Sequence, residues 1–269
     1  MLILFSGALP VGAGSPRDSG YGAVELSRPL DPGGGRLTGE VWGAPSGPRA
    51  AGDEYWDSLF TLNRLDGSAR AIAVSGSQVY VGGEFTQAGD RPANHIARWD
   101  GSAWHTVGES GQHSVNSPVF ALALDGPRCY VGGGFTQAGD QPANYIARRD
   151  ASANGGQGTW FPLGSGVEGG VWAIAVSGTQ VYVGGTFTHA GGQPANGIAR
   201  WDLSANAGQG AWFPLGSGVA GYVYAIAVSK TQVYVGGAFT QAGGKPSFYL
   251  ARWSPPASKG YLPLVLKTP

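Results

Sequence analysis

Four histidines (His95, His105, His113 and His189), one cysteine (Cys129) and equal sets of 17 acidic and 17 basic side chains carry most of the acid–base and metal-binding chemistry open to this 269-residue chain. No two histidines have the close spacing of a metal-binding pair on one strand or helix. No H-E-x-x-H, G-x-S-x-G or phosphate-loop lysine pattern is present. Glycine-rich stretches such as GSGVEGG, 164–170, lie between strand-like runs, with no helix behind them to aim its dipole at a phosphate, so they read as turns. A single cysteine rules out an internal disulfide and a multi-cysteine zinc site. Cys129 stands where other copies of its segment carry Val79, Val181 and Val233, which predicts a small buried hydrophobe.

The carboxylates offer two readings. Asp100, Asp150 and Asp202 follow Arg98, Arg148 and Arg200 at a spacing of two, so each pair shares a strand face. A ring of charge used for binding is one reading; a repeated structural ion pair is the other, and the favoured one. The loops DASANGGQG from Asp150 and DLSANAGQG from Asp202 place oxygens at alternate positions, as a calcium loop does, but lack the closing acidic residue. Asx turns explain them better. No metal or cofactor is therefore expected. No carboxylate pair stands out as a glycosidase acid and nucleophile, although one assembled across repeats remains the alternative reading.

Positions that differ between repeats are more informative than those that agree. One holds His95, Tyr145, Gly197 and Tyr249, just before an Ile-Ala-Arg or Leu-Ala-Arg segment. The other holds Gln87, Gln137, His189 and Gln241, just after Phe-Thr. Aromatic and amide side chains on one rim can stack on and hydrogen-bond a sugar or peptide. Drift on exposed turns is the plainer explanation.

The element that must position them is spelled out four times. VYVGGEFTQAGD from Val79, CYVGGGFTQAGD from Cys129, VYVGGTFTHAGG from Val181 and VYVGGAFTQAGG from Val233 set the glycine pairs at Gly82, Gly132, Gly184 and Gly236, spaced 50, 52 and 52. Each period contains strand-like runs, clearest in the third: VWAIAV, QVYVGG, GIARWD and AWFPLG. Strict alternation in VWAIAV would put Trp172, Ile174 and Val176 on one face and Val171, Ala173 and Ala175 on the other. Four antiparallel strands per period predict an all-β chain, a β-propeller of four blades of about 50 residues over 54–254. Residues 1–53 read as an irregular Gly/Pro-rich segment and 255–269 as a C-terminal tail.

A strand ending in Gly-Gly, an aromatic-Asp pair and then a lone Trp resembles the kelch repeat. The wording VYVGGTFTHAGG, IARWD and W-x-x-L is closest to the kelch-like repeats of the fungal cortical cell-polarity marker and of bacterial surface proteins. The resemblance implies a propeller and a binding role, with no catalytic residue carried over. Galactose oxidase also carries kelch-type blades, but the only cysteine here lies in a repeated core strand, where its tyrosine crosslink is implausible. Two departures stand out. Arg149 replaces the Trp of positions 99, 201 and 253, and the fourth unit ends in SPPASKG without W-x-x-L. Tyr55-Trp56-Asp57-Ser58-Leu59 is expected to supply that strand and close the ring, with Tyr261-Leu262-Pro263-Leu264 as its competitor. An incomplete ring would invite oligomerisation.

Charged residues are only 13% and cancel, so no basic footprint for nucleic acid exists. The opening MLILFSGALPVGAGSP looks like a secretory signal without its leading Lys or Arg, and is too short and interrupted for a transmembrane helix. Together these predict a non-catalytic binding or structural module, exported to a bacterial surface, that recognises a glycan or protein through rim loops. A carbohydrate-active enzyme is the rival.

Overall fold

Each period opens with a tight β-hairpin. The loops Gly76-Ser77, Gly126-Pro127, Gly178-Thr179 and Lys230-Thr231 hold two residues each, and the first lies at φ 57° to 59°. Glycine adopts that conformation freely, whereas Lys230 does so at a cost of about 1 kcal/mol. The computed structural model describes residues 55–61, 63–108 and 114–255. The chain divides into two compact units, Leu9–Thr61 and Met1–Ala8 with Leu62–Pro269, and the second carries the repeats. The expectations for segment 1–53, and for the tail beyond Pro255 with its candidate strand Tyr261–Leu264, lie outside the described residues.

The architecture is all-β: four repeated antiparallel sheets, the blades of a β-propeller. Sheet I comprises Ala69–Ser75, Gln78–Gly83, Ile96–Trp99 and Trp104–Thr106, hydrogen-bonded in that order. Sheet II repeats the order with Val119–Asp125, Arg128–Gly133, Ile146–Asp150 and Thr159–Pro162. Sheet III does so with Val171–Ser177, Gln180–Gly185, Ile198–Asp202 and Ala211–Pro214. Sheet IV has Val219–Ser229, Gln232–Ala242 and Leu250–Trp253, plus a two-residue strand Lys245–Pro246 on the far end of its second strand. It has no W-x-x-L strand among the described residues. The expected donor of that strand, Tyr55–Leu59, contains no strand residue, and a turn begins at Leu59, whose N–H donates to Asp57 Oδ1 at 3.0 Å. Its Trp56 is 85% exposed. That expectation is corrected in that the segment is not a strand, and the Asx bond takes up the Leu59 N–H.

The glycine pairs set how closely sheets stack. A Cβ built on Gly82, Gly132 or Gly184 would lie 2.3–2.4 Å from a methyl of Val119, Val171 or Val223, each on the first strand of the next sheet. The first strands of sheets I and II, II and III, and III and IV pack on one another in turn. Between sheets sit apolar clusters, such as Tyr130, Ile146, Val171 and Val183 with Ile174 and Val176 between II and III. Burying such side chains contributes about 1.5–3 kcal/mol each. Cys129 is buried in the I–II cluster and its thiol is pushed up to about 12 by desolvation, as a small hydrophobe requires.

Strict alternation in the first strands fails at one place. Every first strand carries a β-bulge, between Ala69 and Ala71, Val119 and Ala121, Val171 and Ala173, and Val223 and Ala225. The extra residue puts Val171 on the same face as Ile174, both against Gly132 of sheet II, and takes Trp172 out of that face.

The Arg–Asp pairs are also corrected. None of the three closes as an ion pair. Arg148 and Arg200 lie over their cross-strand neighbours Phe161 and Phe213, 4.7 and 4.9 Å from the ring centroids, and Arg98 reaches Gln78. Asp100, Asp150 and Asp202 instead accept from the N–H of Ser102, Ser152 and Ser204 at 2.8–3.1 Å. These are Asx turns, the reading preferred for the calcium-like loops. Where Arg149 replaces Trp, its guanidinium donates to the Gln157 carbonyl at 2.7 Å and spans the following loop.

Candidate ligand-binding rim

In every sheet the segment that follows the glycine pair of the second strand is built on one buried ring: Phe85, Phe135, Phe187 or Phe239, at most 2% exposed. The next two residues are clamped from below in sheets I and II. Asp66 accepts from the N–H groups of Thr86 and Gln87 at 2.7 and 2.8 Å and from the Thr86 hydroxyl at 2.6 Å. The Asn116 side-chain oxygen accepts from the N–H groups of Thr136 and Gln137 at 2.9 and 3.1 Å, and its amide donates to the Thr136 hydroxyl at 3.0 Å. The loop then returns through His95, Tyr145, Gly197 or Tyr249. The N–H of each donates to the buried Phe carbonyl at 2.8–3.0 Å, and its carbonyl accepts from Gly83, Gly133, Gly185 or Gly237 at 2.9–3.0 Å.

This double clamp forces positive φ: 72° at His95, 66° at Tyr145, 68° at Gly197 and 65° at Tyr249. Glycine is the unstrained choice, and three of four repeats decline it, at about 1–2 kcal/mol each. The glycine of sheet III has a steric cause, since a Cβ at Gly197 would meet Val219 at 2.8 Å and the Gly221 carbonyl at 3.0 Å. Local space thus accounts for the glycine of sheet III.

The two sets of sequence candidates meet across neighbouring sheets. A cleft of about 450 Å³ between I and II is lined by Asn94 and His95 from one side and Asn116, Gln137 and Asp140 from the other. Its counterpart of about 420 Å³ between III and IV has Asn196 and Gly197 facing Tyr222 and Gln241. Tyr145 is half-buried against the II–III core. His189 sits with Nδ1 3.1 Å from a Glu168 carboxylate oxygen. Gln87 is exposed, and Tyr249 is 66% exposed beside Phe248, with ring centroids 6.4 Å apart. Burial lowers the His95 pKa from its ordinary value, against smaller opposing effects of the Gly83 contact and of Asp66 and Glu84.

Sequence reasoning missed a second feature. The bulge residues of sheets II, III and IV are Phe120, Trp172 and Tyr224, and the bulge turns all three the same way. Trp172 stacks on Tyr224 at 5.1 Å with ring planes 16° apart, and Phe120 meets Trp172 edge-on at 6.4 Å. All three are half-buried. In sheet I the position is Arg70, paired with Glu84 at 2.7 Å. The ladder lies two residues from Tyr222 of the III–IV cleft. One signal was available in the sequence: aromatic side chains of changing type at one repeat position.

The electrostatics are mild. Hydrogen bonds, with Thr86 foremost for Asp66 and Ser152 and Ser204 for Asp150 and Asp202, hold those carboxyls below their ordinary range. Asp100 goes furthest down, through the Ala103 N–H, the Ser102 hydroxyl and His105. These shifts run opposite to those of a proton-donating acid. No group of three or more His, Cys, Asp and Glu is placed to hold a metal among the described residues. No helix among them is long and apolar enough to cross a membrane.

Sheets repeated in this way and a rim of loops define a β-propeller repeat protein. A family model described as a domain of unknown function (DUF5122) beta-propeller matches residues 180–202, the second and third strands of sheet III. No curated protein matches the chain. Among solved structures, the computationally designed Ika4 protein is similar at 20% identity and a TM-score of 0.44, covering 72% of this chain and 94% of its own. The computationally designed Ika8 protein gives 13% identity and 0.21, covering 68% and 87%.

Proposed function

We propose that this protein is a non-catalytic recognition module, a kelch-type propeller exported to the cell surface, that binds an extended polysaccharide along its rim. The observation that carries this reading is the ladder of Phe120, Trp172 and Tyr224, half-open rings set in register on consecutive blades by identical bulges. The exposed part of such a ladder offers an apolar aromatic surface for the apolar faces of pyranose rings, and neighbouring amide and hydroxyl groups fix orientation. Asn196 and Gln241 in the III–IV cleft supply such groups beside Tyr222.

The rival reading, a carbohydrate-active enzyme, needs a carboxyl held above its ordinary pKa to protonate a leaving group. Among the described residues, the carboxyls that shift all move down. A screen of purified protein against a panel of polysaccharides, with and without calcium, tests the proposal. Saturable binding without cleavage and without calcium dependence is expected. Binding confined to protein ligands, or release of oligosaccharides, would overturn it.

A further inference from the structure

The three stacking interfaces inside the chain are copies of one another, and the chain ends in the two unmatched halves of a fourth. In each internal interface one sheet presents a Tyr, a Gly and an Ile: Tyr80, Gly82 and Ile96 for sheet I, Tyr130, Gly132 and Ile146 for II, and Tyr182, Gly184 and Ile198 for III. The next sheet answers with first-strand residues: Val119, Leu122 and Leu124, then Val171, Ile174 and Val176, then Val223, Ile226 and Val228. Contact dries the centre of each interface, while Tyr80 and the outer answering residues such as Val176 and Val228 stay half-buried. Tyr130 and Tyr182 are 0% and 5% exposed, and Ile96, Ile146 and Ile198 at most 2%.

Sheet IV presents the same trio, Tyr234, Gly236 and Leu250, and nothing among the described residues covers it. Tyr234 is 37% exposed and Leu250 66%. A Cβ on Gly236 would meet nothing nearer than 3.8 Å, where its three counterparts would strike a valine. Sheet I presents the answering set, Ala69, Ile72 and Val74. Ile72 is 54% exposed and Val74 51%, while its counterpart Leu122 is 8% exposed. No packing like that between neighbouring first strands joins sheet IV back to sheet I.

We infer that the open face of sheet IV docks on the open face of sheet I of a second copy of this chain, head to tail, extending the blade stack across molecules. Each face is already one half of an interface that the chain builds three times, so complementarity is inherent in the repeat. Isolated apolar faces of this kind need a partner, and a heterologous joint that closes gives a ring of identical copies. The joint also completes the rim. His95 meets Gln137 across I–II and Gly197 meets Gln241 across III–IV. Tyr249 of sheet IV and Gln87 of sheet I are the leftover members of those sets, and only a neighbouring copy brings them together. Tyr224 and Arg70 of successive copies likewise continue the ladder.

Light scattering on the size-excluded full chain at micromolar concentration tests this. A mass of two or more multiples of 27.5 kDa is expected. Ile72→Glu and Leu250→Glu each place a charge on an exposed site and should each give a single-chain mass, with circular dichroism and melting close to wild type. Mixing the two restores a two-chain complex, because each retains the face that the other has lost. Gly236→Val, which has open space in the single chain, should also remain monomeric. A wild-type chain of single mass overturns the inference, as do an undiminished mass in these variants or a mixture that fails to recombine, the sign of a face-to-face contact.

Discussion

Gly184→Ala and Gly236→Ala make the same change at the same repeat position and should have opposite effects. At Gly184 the new Cβ falls 2.3 Å from Val223 Cγ1 and 3.0 Å from Ile226 Cδ1, in a cluster whose Val223 is fully buried. Carbon atoms settle at about 3.5–4.0 Å, so the III–IV interface must open by more than an ångström. Overpacking of that size costs about 1–3 kcal/mol, offset by about 0.5–1 kcal/mol because alanine has less freedom to lose than glycine. The net is a loss of about 2 kcal/mol. At Gly236 the nearest atoms, Ala225 Cβ and the Tyr249 carbonyl oxygen, lie at 3.8 and 3.9 Å, which is ordinary contact. Only the backbone gain remains, about 0.5 kcal/mol of stabilisation. Urea titrations in an Ile72→Glu background keep self-association out of the comparison. Val223→Ala is the internal control: combined with Gly184→Ala it should recover about 1–2 kcal/mol relative to the sum of the single changes. Equal losses at the two glycines, or no coupling to Val223, would refute the stacking argument.

Other consequences can be checked on the same protein. Asp66→Ala removes three hydrogen bonds from the sheet I loop and should cost about 1 kcal/mol, the clamp being largely solvated, while Asp66→Asn should be nearly neutral because Asn116 already does that work in sheet II. Lys230→Gly relieves a left-handed hairpin residue and should stabilise by about 0.5 kcal/mol, read as a higher urea midpoint. His95 has a folded pKa below its unfolded value, so the unfolded state binds more protons in between. Its stabilising contribution is present above about pH 6.5 and is lost as pH falls through the folded pKa, and His95→Gln should flatten that part of a melting-temperature profile.

The period and the four-strand unit were legible because each rests on residue type alone. Glycine pairs, β-branched runs and Ser-Gly or Asp-Gly turns recur at fixed offsets and fit one local structure. The bulge beside Trp172 was not legible, since one extra unpaired residue leaves no mark in composition, and its consequence reverses which neighbours share a face. The Arg–Asp spacing misled for a related reason. Two residues shared a strand face, but Phe161 and Phe213 on the adjacent strand took the guanidinium, and the aspartate was engaged by the turn that follows. The rim positions His95 and Gln137 were found separately, and their meeting across I–II depended on how blades stack, which no single repeat records. Closure misled too, because Trp56-x-x-Leu59 has the right wording in a segment that is not a strand, its Leu59 N–H taken up by Asp57.

The central claim, recognition of a polysaccharide along the bulge ladder, is tested most directly by calorimetric titration of Trp172→Ala beside Trp56→Ala. Trp172 is the middle rung, and Trp56 is an 85% exposed tryptophan outside the ladder. Loss of a central aromatic anchor is worth about 2 kcal/mol, so Trp172→Ala should weaken binding about 30-fold in protein that is still folded at the assay temperature, although its melting point falls with the lost Tyr224 and Phe120 contacts, while Trp56→Ala leaves affinity as it was. Equal affinity in the two variants would contradict the account.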